Sequence, residues 1–449
     1  TMLRLVNVNV KPLARKVPGE ARFMAVNSTF NVVGFFRTPS KVYCQPGCMQ
    51  TALTEFWKKK RVFVVTDKRL VDIGVSRKVT DLLDQYKYQY QIFSNIEADP
   101  VLANVMEGVN AMKEFKPDVI VAIGGGSPMD SAKVMRVLYE NPKQSFASLA
   151  RRCKNIRDGI TEEDRMSPLA SGTLADLVCI PTTSGTGSDV TPYAIITDET
   201  SETNEHHALA DEALMPTMSI VDANLALEMP PTVTANSALF ALAHSIEAYA
   251  SPLGNDLTRA LCLHSAKLIF TNLPRAYAEG KNAPDAREAL HHAGTMSGMA
   301  LANTSPGGVC HALAHRLCAS FRMSPGTAHA ALLPHCVAVE VKSSQTALRR
   351  YGELAAHLGF DAADDQARVT ALIKGIEKLK GQVGVPAMLM DVVDPKTDHR
   401  DILELRMRNI TTGAAADALL AAQAAGKMKA PSAAELRKML VTAWDSPAA

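Results

Sequence analysis

The sequence lacks an excess of charge, a long apolar run and closely spaced cysteines, and each absence excludes a class of protein. Its 48 Lys and Arg against 46 Asp and Glu leave a formal charge of +2, which argues against nucleic acid as a partner. No apolar run is long enough to cross a bilayer and no signal-peptide core is evident, so we expect a soluble protein without membrane insertion. Among eight cysteines only Cys44 and Cys48 are close, at a spacing that suits neither a zinc knuckle nor a redox pair. These features predict a reducing compartment, the cytoplasm or the mitochondrial matrix.

The first sixty residues differ from the rest because basic side chains greatly outnumber acidic ones there. A solvated basic face is the simplest interpretation. The alternatives are a mature organellar protein that has lost its transit peptide, or a residue added before Met2. Residues 3–10 alternate polar residues with Leu and Val, which predicts an added strand within an N-terminal arm over residues 1–37. We expect such an arm to contact a neighbouring subunit, in a homo-oligomer or a larger complex.

The most informative segment is the run GGGSPMDSAK at residues 124–133, which follows the buried strand pattern of residues 119–123. A helix opened by Ser127, with Pro128 in its first turn, is expected next. Glycines let the backbone approach a pyrophosphate closely, and the free N–H groups at a helix start favour its negative charge. A plain strand-to-helix turn is the alternative, but the run as a whole favours a nucleotide phosphate site.

The fold class follows from the periodicity of apolar residues. Strands and helices alternate from residue 38 to about 200, which indicates a parallel sheet in a doubly wound α/β domain. From about residue 220 the apolar spacing becomes helical. We therefore predict a dinucleotide-binding domain over residues 38–220 and an all-helical domain over residues 221–449, with cofactor and substrate meeting in the cleft between them.

A second motif, PTTSGTGSDVTP at residues 181–192, supplies hydroxyl donors without charge. Together with GGGSPMDSAK it resembles the iron-dependent (group III) alcohol dehydrogenases. The segments EADPVLANV (97–105), IVDANL (220–225) and HSIEAYASPL (244–253) resemble in particular the alcohol dehydrogenase module of the bifunctional aldehyde/alcohol dehydrogenases. The resemblance covers residues 38 to 340 well and implies NAD-linked interconversion of a small alcohol and an aldehyde by hydride transfer.

The resemblance also implies a set of cofactor-binding residues. Asp67, at the end of a predicted strand, corresponds to an acidic residue that accepts hydrogen bonds from the adenosine ribose and repels a 2′-phosphate, so NAD is expected over NADP. A turn-forming role for Asp67 is the alternative. The implied cofactor-binding set is Asp67, Asp99, Gly124, Gly125, Gly126, Ser127, Asp130, Thr182, Thr183 and Ser184.

Family members hold a divalent metal with one aspartate and three histidines, and here the sequence departs from the family. His244 and His311 match two of the histidines, and His315 matches a histidine near the nicotinamide, which we take as a catalytic candidate. The aspartate is expected one helical turn before His244, but Phe240 stands there. The third histidine is expected where the sequence has Pro325.

Neither replacement can bind a metal, so the sequence argues against stable Fe2+ or Zn2+ binding. His329, four residues past Pro325, and Glu247, three past His244, are candidate substitute ligands. Two further departures lie on the catalytic side: His206 stands where the family has a cofactor-side lysine, and an alanine-rich stretch at residues 411–425 replaces a substrate-side Asn-Pro-Arg.

Three functions remain open. The losses favour a catalytically impaired alcohol dehydrogenase with a degraded metal site. A non-catalytic subunit that retains the fold and the nucleotide is the first alternative. An active dehydrogenase with relocated metal ligands is the second, and it would act on a small alcohol or aldehyde.

Overall fold

The computed structural model describes residues 36–56, 58–158, 168–200, 205–304, 307–321, 323–386, 388–389, 410 and 431–445. Within them a parallel sheet precedes a region built of helices, so the predicted fold class is confirmed. The predicted arm over residues 1–37 lies almost wholly outside the described residues, as does the alanine-rich stretch. No helix among the described residues is long and apolar enough to span a membrane.

Two sheets contain the strands. The larger sheet has six strands in the order β1-β8-β5-β4-β2-β3, and every neighbouring pair is parallel. The smaller sheet is an antiparallel pair, β6 with β7. In chain order the strands are β1 (Lys41–Tyr43), β2 (Arg61–Val65), β3 (Gln89–Phe93), β4 (Val119–Gly124), β5 (Asp176–Pro181), β6 (Tyr193–Asp198), β7 (Glu205–Ala210) and β8 (Met218–Ile220).

The central strand β4 shows why the sheet is covered on both faces. All six of its residues are buried, and alternate residues belong to different hydrophobic clusters. Ile120 and Ala122 pack on one face, whereas Val121 and Ile123 pack on the other. Because side chains of a strand alternate between faces, a continuous apolar run is what a doubly covered parallel strand requires.

The helices that connect these strands cover the two faces of the sheet. They are α1 (Cys48–Leu53), α2 (Lys68–Asp72), α3 (Arg77–Gln85), α4 (Leu102–Phe115), α5 (Gly126–Glu140) and α6 (Phe146–Asp158). The helix expected after the glycine run is present but starts earlier than predicted. It begins at Gly126 with Gly125 at the cap position, and Ser127 lies inside its first turn, so the expectation that Ser127 opens the helix is wrong.

The second half of the described chain is helical, as the apolar spacing predicted. Its helices are α7 (Pro231–Ala250), α8 (Asp256–Glu279), α9 (Pro284–Ala302), α10 (Val309–Phe321), α11 (Pro325–Ser343), α12 (Gln345–His357), α13 (Asp365–Gln382) and α14 (Ala433–Asp445). Start signals explain several boundaries: Pro231, Pro284 and Pro325 occupy first turns. Asn255 and Thr258 form a capping box at the start of α8.

A single large cluster of buried apolar residues joins these helices. Helix α7 runs through its middle, with most of its residues buried, and contacts α8, α9, α11 and α12. A helix buried all round shows no single polar face, which is why its sequence reads as almost continuously apolar and small. This central helix carries His244 and Glu247 into the interior, and the half-buried Phe240 lies one turn before His244.

Candidate functional site

The candidate site begins at the carboxyl edge of the six-stranded sheet. Strand β2 lies between β3 and β4, so the chain passes to one side of β2 and then to the other. In open α/β sheets ligands bind outside the carboxyl ends of the strands where the order reverses. Gly124, at the end of β4, lies close to Leu70, in the segment that follows β2. Asp67 and the glycine run therefore share this edge.

The backbone at the glycine run has room only for glycine. Gly124 has φ +151°, and a Cβ on it would lie 2.6 Å from Pro128 Cγ. Added Cβ atoms on Gly125 and Gly126 would meet Thr183 at 3.4 Å and Thr186 at 3.3 Å. The two predicted motifs thus lie against each other. The N-terminus of α5 opens between them, and its free N–H groups suit an anion.

Asp67 and Ser127, two of the predicted cofactor residues, make hydrogen bonds within the protein. Asp67 caps α2, because its Oδ1 accepts a hydrogen bond from Leu70 N at 2.8 Å. Ser127 Oγ donates to the Ala98 carbonyl at 2.6 Å. The turn-forming alternative for Asp67 is therefore realised, while its second carboxylate oxygen is left for a ligand.

Asp99 lies on the hairpin side of the site. It accepts a hydrogen bond from Thr197 Oγ1 at 2.9 Å, and its other oxygen lies 3.5 Å from His206 Nε2. Thr197 and His206 are register partners in the β6–β7 hairpin, an element that the sequence did not reveal. His206, which we singled out as a replacement for a lysine, thus lies beside a predicted cofactor residue.

Asp130 faces the protein interior. Its Oδ1 accepts a hydrogen bond from Ser188 Oγ, and its Oδ2 accepts one from Ile195 N at 3.0 Å. The fully buried Lys133 lies 3.5 Å away and donates to Ser188 Oγ at 2.7 Å. Burial raises the pKa of Asp130 and lowers that of Lys133, while each charge partly offsets the shift of the other. This pair fastens the second motif to α5, so Asp130 can shape the cradle without touching a ligand.

The hydroxyls of the second motif point in different directions. Thr182 is buried, and its N–H donates to the Gly124 carbonyl at 2.9 Å, continuing the sheet. Thr183 lies over Gly125, and its Oγ1 has no hydrogen-bond partner among the described residues. Ser184 Oγ turns away, towards His291 Nδ1 on α9 at 3.1 Å, and both side chains are buried. Thr183 is thus the motif hydroxyl best placed for a phosphate, and Ser184 instead links the loop to the helices.

The loop that carries the second motif packs closely on the helical region, which places the cofactor cradle beside α7 and α9. A Cβ on Gly185 would lie 1.9 Å from the Ser237 carbonyl oxygen of α7. One on Gly294 of α9 would lie 2.7 Å from Gly185 N, and one on Gly298 would lie 2.6 Å from Gly187 Cα. Sequence reasoning missed Gly294 and Gly298, although glycines four residues apart on a buried helix are a signal of close backbone contact.

Three histidines meet in the helical region next to this loop. His244 on α7, His311 on α10 and His329 on α11 are buried, with exposed fractions of 1%, 3% and 0%. The His311 ring centroid lies 4.9 Å from that of His244 and 4.3 Å from that of His329. His244 also interacts with the backbone of Gly185, which connects this group to the cofactor loop. We call His244, His311 and His329 the histidine cluster.

Each member of the histidine cluster has one ring nitrogen without a hydrogen-bond partner among the described residues. These atoms are His244 Nδ1, His311 Nε2 and His329 Nε2. The other nitrogen is engaged in two clear cases: His329 Nδ1 donates to the Pro325 carbonyl at 2.7 Å, and His311 Nδ1 donates to the Glu247 carboxylate. Burial, followed by the neighbouring imidazoles, holds the pKa of His244 and of His329 well below the usual range. A neutral imidazole carries one proton, so the unpaired Nε2 of His329, whose Nδ1 donates, carries a lone pair.

The two residues that replace expected ligands behave differently. The Phe240 ring lies against the cluster, with its centroid 4.2 Å from that of His244 and 4.4 Å from that of His329. Pro325 is exposed at the start of α11, one turn before His329, and contributes only its carbonyl. The structure thus brings His329 to the cluster, while Glu247 lies on the far side of His311 and contacts its Nδ1.

The unpaired ring nitrogens of this cluster fit a divalent metal ion. Neutral imidazole suits zinc and iron, and a ligating histidine usually donates its second N–H to a carboxylate or a backbone carbonyl, as His311 and His329 do. Nevertheless, no three His, Cys, Asp or Glu side chains in the described ranges form a group ready to hold a metal.

Two family models match the chain: iron-containing alcohol dehydrogenase over residues 39–223, and the C-terminal part of the Fe-containing alcohol dehydrogenase family over residues 234–425. The NADPH-dependent butanol dehydrogenase of Clostridium saccharobutylicum is 32% identical over 356 residues, which cover 79% of this chain and 86% of that protein. The chain belongs to the iron-containing alcohol dehydrogenase family.

Other members of the iron-containing alcohol dehydrogenase family agree in fold and sequence. The bifunctional aldehyde-alcohol dehydrogenase AdhE of Escherichia coli (strain K12) is 38% identical over 371 residues, covering 79% of this chain. Those residues are only 41% of AdhE, so the chain spans about two fifths of that relative. The iron-containing alcohol dehydrogenase of Thermococcus thioreducens has the same fold, with a TM-score of 0.78 at 24% identity over 91% of this chain and 99% of the other.

His315 lies at the edge of the histidine cluster. Its ring centroid lies 6.0 Å from that of His311 and 5.9 Å from that of His329, and its side chain is partly exposed. Helix α10 carries both His311 and His315, four residues apart, so they share a face. The predicted catalytic residue therefore lies next to the predicted metal site.

Proposed function

We propose that this chain is an NAD-linked alcohol dehydrogenase that acts on a small primary alcohol or aldehyde, with a divalent metal held by His244, His311 and His329. One observation carries the proposal: three buried imidazoles converge beside the cofactor loop, each with one unpaired ring nitrogen. Buried polar atoms normally have partners, so three unpaired nitrogens at one place indicate a ligand that all three share. This is the second alternative of the sequence analysis, an active dehydrogenase whose metal ligands have moved to other positions.

The cofactor part of the proposal rests on the cradle. The N-terminus of α5 and Thr183 would bind the pyrophosphate, and Asp67 would accept hydrogen bonds from the adenosine ribose. In the reaction an alcohol and NAD+ yield an aldehyde, NADH and a proton. Hydride leaves the carbinol carbon for the nicotinamide, and we assign the hydroxyl proton to His315, which is exposed enough to pass it to solvent.

A bound divalent ion would supply Lewis acidity to the substrate oxygen. The residues of this chain would hold the ligand side chains in place and exclude water from the site. His311 and His329 are held by hydrogen bonds at their second nitrogens, and the cluster is buried, so water is excluded from the place where charge develops.

Phe240 favours a second candidate, a non-catalytic member that retains the nucleotide site. Its ring occupies the side of His244 on which the expected carboxylate would lie, and an aromatic ring neither binds a dication nor offsets its charge. This candidate requires NADH binding without metal uptake.

One experiment separates the two candidates. The purified protein is loaded anaerobically with Zn2+, Fe2+ or Co2+, and its metal content, its binding of NADH and its NAD-linked oxidation of ethanol, 1-propanol and 1-butanol are measured. The His329→Asn variant should lose metal and turnover together. The matched control is His335→Asn, a buried histidine on the same helix outside the cluster. Stoichiometric metal with turnover in the wild type and the control supports the enzyme, whereas NADH binding without metal in all three proteins supports the second candidate.

A further inference from the structure

Glu247 is a buried carboxylate whose two oxygens bind two different groups of α10. It lies on α7, three residues beyond His244, and is 6% exposed. Its Oε2 accepts a hydrogen bond from His311 Nδ1, and its Oε1 accepts one from Cys310 N at 2.7 Å, at the start of α10. A single side chain of α7 thus holds both the first turn of α10 and the ring of His311.

The chain before α10 is shaped to admit this carboxylate. A Cβ on Gly308 would lie 2.4 Å from Glu247 Oε1, so a larger residue there would displace the carboxylate. Gly307 has φ +106°, and a Cβ on it would lie 2.4 Å from His311 Cβ. Two adjacent glycines therefore leave the space that the Glu247 and His311 side chains fill. The backbone before α10 is therefore compatible with the contact between Glu247 and His311 only while both positions are glycine.

We infer that Glu247 is a positioning residue for the histidine cluster: it holds the proton of His311 on Nδ1, so that Nε2, which has no hydrogen-bond partner among the described residues, keeps its lone pair. The consequence for metal binding rests on the proposed function, whereas the choice of tautomer does not. A neutral imidazole carries one proton, and the hydrogen bond at one nitrogen decides which nitrogen keeps it.

This role needs two acceptor oxygens, which only a carboxylate offers. In Glu247→Gln the side chain has one acceptor and one donor, while Cys310 N and His311 Nδ1 both present N–H groups. If the amide oxygen keeps the bond to the backbone, its NH2 group faces His311 Nδ1. The proton of His311 should then move to Nε2, where it removes the lone pair of that nitrogen.

The test reads the tautomer directly in metal-free protein labelled with 15N-histidine. Long-range 1H–15N correlation distinguishes Nδ1–H from Nε2–H, and the His311 signal is identified by its loss in His311→Asn. We expect Nδ1–H in the wild type and Nε2–H in Glu247→Gln. Gly308→Ala, which keeps the acid but displaces it, should shift His311 in the same way. Glu377→Gln is the control, because Glu377 accepts a hydrogen bond from Lys380 on α13.

A second readout is the affinity for Zn2+, measured by competition with a chelator. Loss of an outer-sphere partner lowers metal affinity by roughly 10- to 100-fold, and we expect this in both Glu247→Gln and Gly308→Ala. Nε2–H in the wild type, or Nδ1–H retained in both variants, overturns the inference whether or not metal binds. If the tautomer of His311 differs between wild type and variants as expected, but the wild type takes up no metal, the inference is supported and the proposed function is refuted.

Discussion

The ring of Phe240 packs 4.2 Å from the imidazole of His244, one turn later on the same buried helix. The same ring lies 4.4 Å from His329, which comes from α11. An apolar side chain thus occupies one side of a group of nitrogen ligands. The three candidate ligands are imidazoles, and the Glu247 carboxylate accepts a hydrogen bond from His311 Nδ1.

Phe240→Asp should raise metal affinity, because a carboxylate one turn before His244 adds a ligand and offsets the charge of the dication. We expect a gain of roughly tenfold or more for Zn2+ and Fe2+ by equilibrium dialysis. In chelator the same variant should lose roughly 1–3 kcal/mol of unfolding free energy, since its carboxylate then lies at a half-buried position without a partner. Phe240→Leu is the control. Equal uptake by the Leu variant would mean that ring size, and not the missing charge, limits binding.

Asp67→Ser should shift cofactor preference towards NADPH. Serine can still cap α2 through Leu70 N, so the change removes the negative charge while keeping the helix start. The ratio of NADPH to NADH affinity should rise by roughly tenfold, or about 1.4 kcal/mol, in calorimetric titration. The matched control is Asp72→Ser, an exposed acid at the end of the same helix. An unchanged ratio would show that Asp67 serves only as a cap.

Gly294→Ala should weaken NADH binding although Gly294 is not one of the predicted cofactor-binding residues. Its added Cβ would lie 2.7 Å from Gly185 N, and the backbone there can yield only if the cofactor loop moves. We expect a loss of about 1–3 kcal/mol of unfolding free energy and weaker NADH binding. Gly381→Ala is the control, because a Cβ there meets nothing within 4 Å in α13. It should stabilise the protein by up to about 1 kcal/mol. Unaltered NADH affinity in Gly294→Ala would contradict a rigid loop.

His291 should make stability fall on acidification. Burial, followed by the neighbouring His292, lowers the pKa of His291 to about 3 from 6.5, so the unfolded chain binds the proton first as pH falls. Its contribution is complete above pH 6.5 and is lost progressively towards pH 3. Between about pH 7 and about pH 5 the loss should be on the order of 2 kcal/mol. In denaturant titrations His291→Asn should reduce this slope and the exposed-site control His264→Asn should not. Equal slopes in all three proteins would exclude His291 as the source.

The amino-acid sequence by itself determined the parts of this protein that depend on short-range pattern. The run before Gly124 is apolar without interruption and is followed by glycines and a helix, so strand, turn and helix could be predicted in order. Spacing also placed Phe240 one turn before His244 on one helix, because a helix repeats every 3.6 residues. These inferences need no knowledge of which segments pack against each other in the folded protein.

Only the tertiary structure decided what the side chains face. Glu247 and His311 are 64 residues apart in the chain, and Ser184 and His291 are 107 apart, so no local period relates them. His329 is one turn further along α11 than the expected ligand position, and it reaches the cluster because of how α11 packs against α7 and α10. Contacts between distant segments depend on helix packing angles and on where glycines allow backbones to meet, and these are properties of the assembled core.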